Sequence, residues 1–160
     1  MNTQTIGWQS TTQAPRVPMM SALVVCRVEH SQKAPAWMKE LDGAAVFRCS
    51  AYGAQQEPGV HHYRGGKWAG IYDFFRKQPE LLQSYDYFWF PDDDIETTAD
   101  KASSFMSICM ENGFELAQPA LTTDSYFAYR ETIENPRFRF RRTNFVELMM
   151  PLMKREFLLK

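Results

Sequence analysis

The run Tyr85 to Phe90 (YDYFWF) is the most strand-like segment of the chain, and it stops at Pro91 and three consecutive aspartates, Asp92, Asp93 and Asp94. Aromatic side chains favour the pleated, packed surface of a sheet. Three adjacent carboxylates repel one another. A strand of this kind therefore ends at the rim of a core, where something must offset the repulsion, and not in a free loop.

The rest of the chain supplies the layers around that strand. Ala22 to Val28 (ALVVCRV) is a short, nearly continuous apolar run, as expected for a strand covered on both faces. Glu29, His30 and Ser31 close it. A second strand is expected over Ala44 to Cys49, followed by a turn at Tyr52-Gly53. Gln55 to Gly66 holds Pro58 and three glycines and reads as a loop, with His61-His62 as a solvent-facing pair.

Trp68, Ile71, Tyr72 and Phe75 share one face of a helix expected over Lys67 to Lys77, with a further helical turn at Leu81-Leu82. A second long helix is capped by Thr97 with Asp100 as its partner. It carries the stripe Ala102, Phe105, Met106, Cys109 and Met110 and ends at Gly113. A strand then starts at Phe114. Strand and helix alternate, which predicts an α/β domain with a mainly parallel sheet and helices on its faces. Beyond Tyr126 the pattern changes. Arg137 to Arg142 alternates basic and aromatic residues, as a half-buried strand does, and Phe145 to Leu159 reads as helical up to Met150 and again after Pro151. Residues 1–20 are rich in Gln, Thr and Ser and read as a mobile lead-in on which only Trp8 is suited to dock, so the domain is expected over residues 21–160.

Composition bounds the partners. With 18 Lys and Arg against 19 Asp and Glu, the net charge is −1, and no overall field draws nucleic acid or an anionic membrane. Nucleic-acid binding by Arg137, Arg139, Arg141 and Arg142 is accordingly disfavoured. The three cysteines, Cys26, Cys49 and Cys109, are odd in number and form no Cys-x-x-Cys pair, which suits buried reduced thiols. No apolar stretch reaches bilayer-spanning length, and the first twenty residues lack a signal-peptide core. The expectation is a cytoplasmic protein with no membrane span.

The acidic triplet carries the chemistry. In open α/β sheets ligands bind beyond the carboxyl ends of the strands, and the triplet sits at such an end. Carboxylates at i and i+2 point the same way where the chain is extended. Hard oxygen ligands suit Mg²⁺ or Mn²⁺, which retain positions for phosphate oxygens. The competing reading is a solvated acidic turn that caps the next helix.

Four blocks in order, GGKWAGIYDFF, YDYFWFPDDDI, FELAQPALTTDS and RTNFVELMMPLMKREFL, make the chain from about Ala22 to its end resemble the domain of unknown function 707 family. Those proteins look like GT-A-type glycosyltransferases, with a Rossmann-like nucleotide-binding fold and an Asp-x-Asp metal motif. By that resemblance Asp92 and Asp94 would hold Mn²⁺ or Mg²⁺, and Asp93 would contact ribose or shape the turn. Lys67, Gln118 and Asn144 would help to bind the donor, and Glu147 would be the general base.

The residues themselves leave alternatives open. Lys67 follows Gly65-Gly66 at a helix start, where phosphate is readily held, but the spacing is not a Walker A loop. Gln118 is suited either to reading a sugar hydroxyl or to satisfying a turn. Glu147 is either a base for an acceptor hydroxyl or an exposed acid among apolar neighbours.

The resemblance thus implies a metal-dependent, glycosyltransferase-like protein that binds a nucleotide diphosphate sugar and transfers the sugar to a glycan or other hydroxyl acceptor. The alternative is a non-catalytic carbohydrate- or nucleotide-binding module. Family members continue past the segment matching NFVELMMP, so the chain is expected to be C-terminally incomplete, with an uncovered apolar surface that favours self-association.

Overall fold

The computed structural model describes residues 21–41 and 43–160. The expected lead-in over residues 1–20, and any docking of Trp8, lie outside the described residues. The strands are β1 (Ala22–Val28), β2 (Val46–Ala51), β3 (His61–His62), β4 (Tyr87–Trp89), β5 (Leu116–Ala117) and β6 (Leu152–Lys154). The α-helices are α1 (Ala36–Lys39), α2 (Lys67–Lys77), α3 (Leu81–Ser84), α4 (Ala99–Asn112) and α5 (Arg155–Leu158). Among the described residues no helix is long and apolar enough to cross a membrane.

One six-stranded sheet runs in the order β3-β2-β1-β4-β6-β5. Strands β1 to β4 pair in parallel, and β6 runs antiparallel to both β4 and β5. The chain therefore steps outward from β1 through β2 to β3, then returns to place β4 on the other side of β1. The crevice at the carboxyl ends of β1 and β4 is the topological switch point, where doubly wound sheets bind ligands.

Every residue of β1 is buried, as its unbroken apolar run requires. Its alternate side chains serve two cores. Ala22, Val24, Cys26 and Val28 join Tyr87 and Trp89 of β4, Trp37 and Met38 of α1, and Ala102, Met106 and Cys109 of α4. Leu23 and Val25 join Phe88, Phe90, and Ile71, Phe74 and Phe75 of α2 on the opposite face. The result is the expected helix–sheet–helix sandwich. Phe88 and Trp89 are fully buried on opposite faces, and each contributes about 2–3 kcal/mol through its removal from water.

Several boundaries follow the sequence closely. Helix α2 spans the expected residues, and α4 ends at Gly113 in the left-handed conformation (φ 63°), which closes the helix. Its cap is Thr98, whose side chain accepts from the Lys101 amide, instead of Thr97.

Three further expectations fail. His61 and His62 form a strand against β2, and the His61 side chain is only 4% exposed. A neighbour from α2, Asp73, supplies the polar partner that makes this burial tolerable. Arg137 to Arg142 is irregular and exposed, because no neighbouring strand pairs with it. The segment Phe145 to Pro151 is also non-helical, and β6 follows it, inserted between β4 and β5. The backbone of that segment is committed to tertiary partners: the Pro151 carbonyl accepts from the Phe90 amide and the Met149 carbonyl from the Asp92 amide.

Candidate functional site

Strand β4 delivers the aspartate triplet to the switch point, and the ends of β1, β2 and α2 converge on it. Lys67, the first residue of α2, places its Nζ 2.6 Å from Asp92 Oδ1. The same ammonium donates to the carbonyls of Leu148 (2.7 Å) and Met149 (2.9 Å). Burial pushes the Lys67 ammonium down and the Asp92 carboxyl up, so desolvation outweighs their mutual attraction. Each charge is only partly compensated by the other.

Tyr52, just past β2, donates its hydroxyl to Asp93 Oδ2 at 3.2 Å. Its ring remains 40% exposed. Burial first, and then the Asp93 carboxylate, raise the phenol above its ordinary value, so it stays a donor at neutral pH. Asp94 is exposed and accepts no hydrogen bond among the described residues. Cys26 lies within reach of the triplet's charge, but burial pushes its thiol up and keeps it protonated, so no thiolate nucleophile is available there.

The donor set fits Mg²⁺ or Mn²⁺ in one specific sense. Among the described residues no three His, Cys, Asp or Glu side chains form a cage for an ion. Magnesium-type ions are commonly bound through one or two carboxylates, with phosphates and water filling the remaining positions. Asp94 and the Asp92 oxygen not taken by Lys67 are two carboxylates of that type, with Asp93 and Asp94 set in a turn and not in the extended chain that would align Asp92 with Asp94.

The other sequence candidates lie along the segment that leads into β6. Gln118, after β5, accepts through Oε1 from the Glu147 main-chain amide at 2.5 Å, so it fixes that segment. Glu147 Oε1 is buried without a hydrogen-bond partner among the described residues. Two residues later, Met149 is the residue whose carbonyl receives both Asp92 and Lys67. Gln118, Glu147, Asp92 and Lys67 are thus linked through one stretch of backbone. Asn144 is exposed and, with Gln118, lines a cavity of about 900 Å³ between α4, β5 and residues 131–146. Neither Lys67 nor the aspartates border that cavity.

Sequence reading passed over Arg27. It lies in the last turn of the pleat of β1 and is only 5% exposed. Its Nη1 donates to Ser50 Oγ (2.8 Å), and its Nη2 to the carbonyls of Tyr63 (2.7 Å) and Gly65 (2.9 Å). The signal was present as a cation inside an apolar run, since a buried arginine must find acceptors. The frame continues outward. Arginine only donates and the Asp73 carboxylate only accepts, so in the neutral imidazole His61 Nδ1 accepts from Ser50 Oγ at 2.7 Å while Ser50 accepts from Arg27. His61 then carries its proton on Nε2 and donates to Asp73 Oδ2 at 3.1 Å. Asp73 is also paired with Arg76 and Lys77. Ser50, His61 and Asp73 have the residue types of a hydrolytic triad, but Ser50 is fully buried, so the set acts as a frame and not as a nucleophile.

Comparison with curated proteins and with solved structures gave no match. A family model described as a protein of unknown function, DUF707, matches residues 60–150, more than half of the 160-residue chain. The matched span contains Lys67, the aspartate triplet, Gln118, Asn144 and Glu147, and reaches from β3 to the edge of β6. By that match the chain belongs to the DUF707 family.

Proposed function

We propose that this domain binds a nucleotide diphosphate sugar with a divalent cation at the β1–β4 switch point, in the manner of a GT-A-type glycosyltransferase. The observation that carries the reading is the position of the triplet. Asp92 to Asp94 leave the carboxyl end of β4 beside β1, in a sheet whose first four strands have the order 3-2-1-4. That is the order of a Rossmann-type half-sheet and the place where such sheets hold diphosphates.

In this reading Asp92 and Asp94 hold Mn²⁺ or Mg²⁺, which when bound neutralises charge on the departing diphosphate. The free amides at the start of α2 face the phosphates, and Lys67, whose donors are held by Asp92, Leu148 and Met149, adds positive charge beside them. Asp93, steadied by Tyr52, meets the ribose or shapes the turn, while Gln118 and Asn144 serve the sugar side. Glu147 takes the proton of the acceptor hydroxyl as that oxygen bonds to the anomeric carbon and the bond from that carbon to the diphosphate oxygen breaks.

One observation favours the second reading, a binding module without transfer. Glu147 Oε1 is shielded from solvent, whereas a general base must reach its substrate.

Calorimetry with UDP- and GDP-sugars, with and without Mn²⁺, tests the binding claim. Metal-dependent binding that is lost in Asp94→Ala supports it, and binding that ignores either the metal or this substitution refutes it. Turnover of the donor by the purified chain separates the transferase from the binding module.

A further inference from the structure

Arg27 is an unusual residue to find in a strand interior. Its charge is almost wholly removed from water, and among the described residues none of its hydrogen-bond or ion-pair partners is a carboxylate. Its Nε has no hydrogen-bond partner among the described residues. A buried, unpaired cation is expensive to maintain. Space is kept for it at Gly70 of α2, where a Cβ would fall 2.3 Å from the guanidinium carbon.

The contacts of Arg27 converge on the two side chains that grip the aspartates. Its forked hydrogen bonds to the Tyr63 and Gly65 carbonyls hold the turn that ends at Lys67, the partner of Asp92. Its guanidinium also lies under the Tyr52 ring, 5.7 Å from the centroid, and Tyr52 donates to Asp93. A second ring, that of Tyr63, is 5.8 Å away. One residue therefore sets both arms of the site without reaching the aspartates.

We infer that Arg27 is a positioning residue for the diphosphate site: it fixes the Gly65-Gly66-Lys67 turn and the Tyr52 ring so that both meet the aspartate triplet. The inference rests on the proposed nucleotide reading of that site. Nη2 bonds the two carbonyls while Nη1 bonds Ser50, and this spread over two nitrogens of a planar fork is a task that lysine, with one nitrogen on a shorter side chain, does not reproduce. Supporting groups of this kind typically alter ligand affinity by roughly ten- to hundredfold when removed.

The test compares Arg27→Lys, Gly70→Ala and Ser50→Ala with the wild-type chain, using UDP and GDP with Mn²⁺ as probes. Arg27→Lys keeps the charge and loses the fork, while Gly70→Ala keeps the arginine and crowds it, which provides a second route if the first variant fails to fold. Ser50→Ala weakens the frame but spares the carbonyl fork. Arg27→Lys and Gly70→Ala are expected to weaken probe binding by roughly tenfold or more, and Ser50→Ala to lower the melting temperature while changing affinity by about twofold or less. Hydrogen exchange of amides 63–68 gives a readout that needs no ligand, with exchange roughly tenfold faster expected in Arg27→Lys and Gly70→Ala. Unchanged exchange there overturns the positioning role whatever the ligand. Faster exchange with wild-type affinity, or an affinity loss in Ser50→Ala that matches its stability loss, reduces Arg27 to a structural residue. A wild-type chain that binds neither probe removes the nucleotide reading itself.

Discussion

Lys67 Nζ ties the start of α2 to two separate parts of the chain: Asp92 at the end of β4 and the carbonyls of Leu148 and Met149 just before β6. Lys67→Met is therefore expected to destabilise the domain while keeping most of the aliphatic packing. Hydrogen bonds to charged groups contribute about 1.5–3 kcal/mol, and the Asp92 side chain is 38% exposed and partly screened. The net loss expected is about 1–2 kcal/mol. Urea unfolding measures it. A midpoint equal to wild type would mean that water replaces the ammonium at no loss.

Gly70→Ala reverses the usual helix rule. Alanine normally stabilises a helix interior by about 1 kcal/mol relative to glycine. Here the added carbon would meet Arg27 Nη1 at 2.4 Å and its guanidinium carbon at 2.3 Å. Overpacking of this kind costs about 1–3 kcal/mol, so a lower melting temperature is expected. A rise would show that the guanidinium relocates freely.

Acid weakens the frame in two stages. Burial lowers the His61 pKa below its ordinary 6.5. As pH falls through 6.5 the unfolded chain takes up a proton that the folded chain refuses, and stability drops. Asp73 shifts the other partner of the pair. Lys77, Arg76 and His61 hold its carboxyl well below the ordinary 3.8, so its contribution is complete above 3.8 and is lost only in stronger acid. His61→Gln should flatten the decline between pH 7 and about 5 and leave the lower stage intact. Thermal midpoints across that range decide the matter, and identical slopes would exclude His61 as the source.

Glu147→Gln separates base from anchor. The Gln118 contact is made to the Glu147 main chain, so the substitution leaves it in place. If Glu147 takes the acceptor proton, transfer should fall by roughly 10²–10⁴-fold with donor affinity little changed. Equal turnover in the variant would release Glu147 from that role.

Much of this arrangement was legible in the sequence because it is local. The stripe from Ala102 to Cys109, the left-handed Gly113 and the aromatic strand before the triplet each follow from nearest-neighbour patterns. Apart from the one-residue shift of the α4 cap from Thr97 to Thr98, the failures are non-local. The strand character of His61-His62 depends on β2 and on a carboxylate twelve residues away in α2. The alternation at Arg137 to Arg142 has the right period for a strand, but no partner edge meets it. At the site, the triplet and Lys67 were visible as charges in special places. Arg27 and Tyr52 were not, since their roles arise only when the ends of β1, β2 and α2 meet.

The antiparallel β6 also dictates an order of assembly. It fills the slot between β4 and β5, yet residues 118–151, with a single 3-10 turn at Arg130–Thr132, separate it from β5. During synthesis the outer backbone edge of β4 emerges first and must wait, unpaired, for a much later segment. Closing a loop of that length costs on the order of 3 kcal/mol in chain entropy, which the bonds of Asp92 and Lys67 to Met149 help to offset. The contacts that gather around the aspartate triplet are thus also the latch that completes the sheet, and ribosome-bound chains that stop short of Leu152 should keep an unpaired β4 edge and bind chaperones.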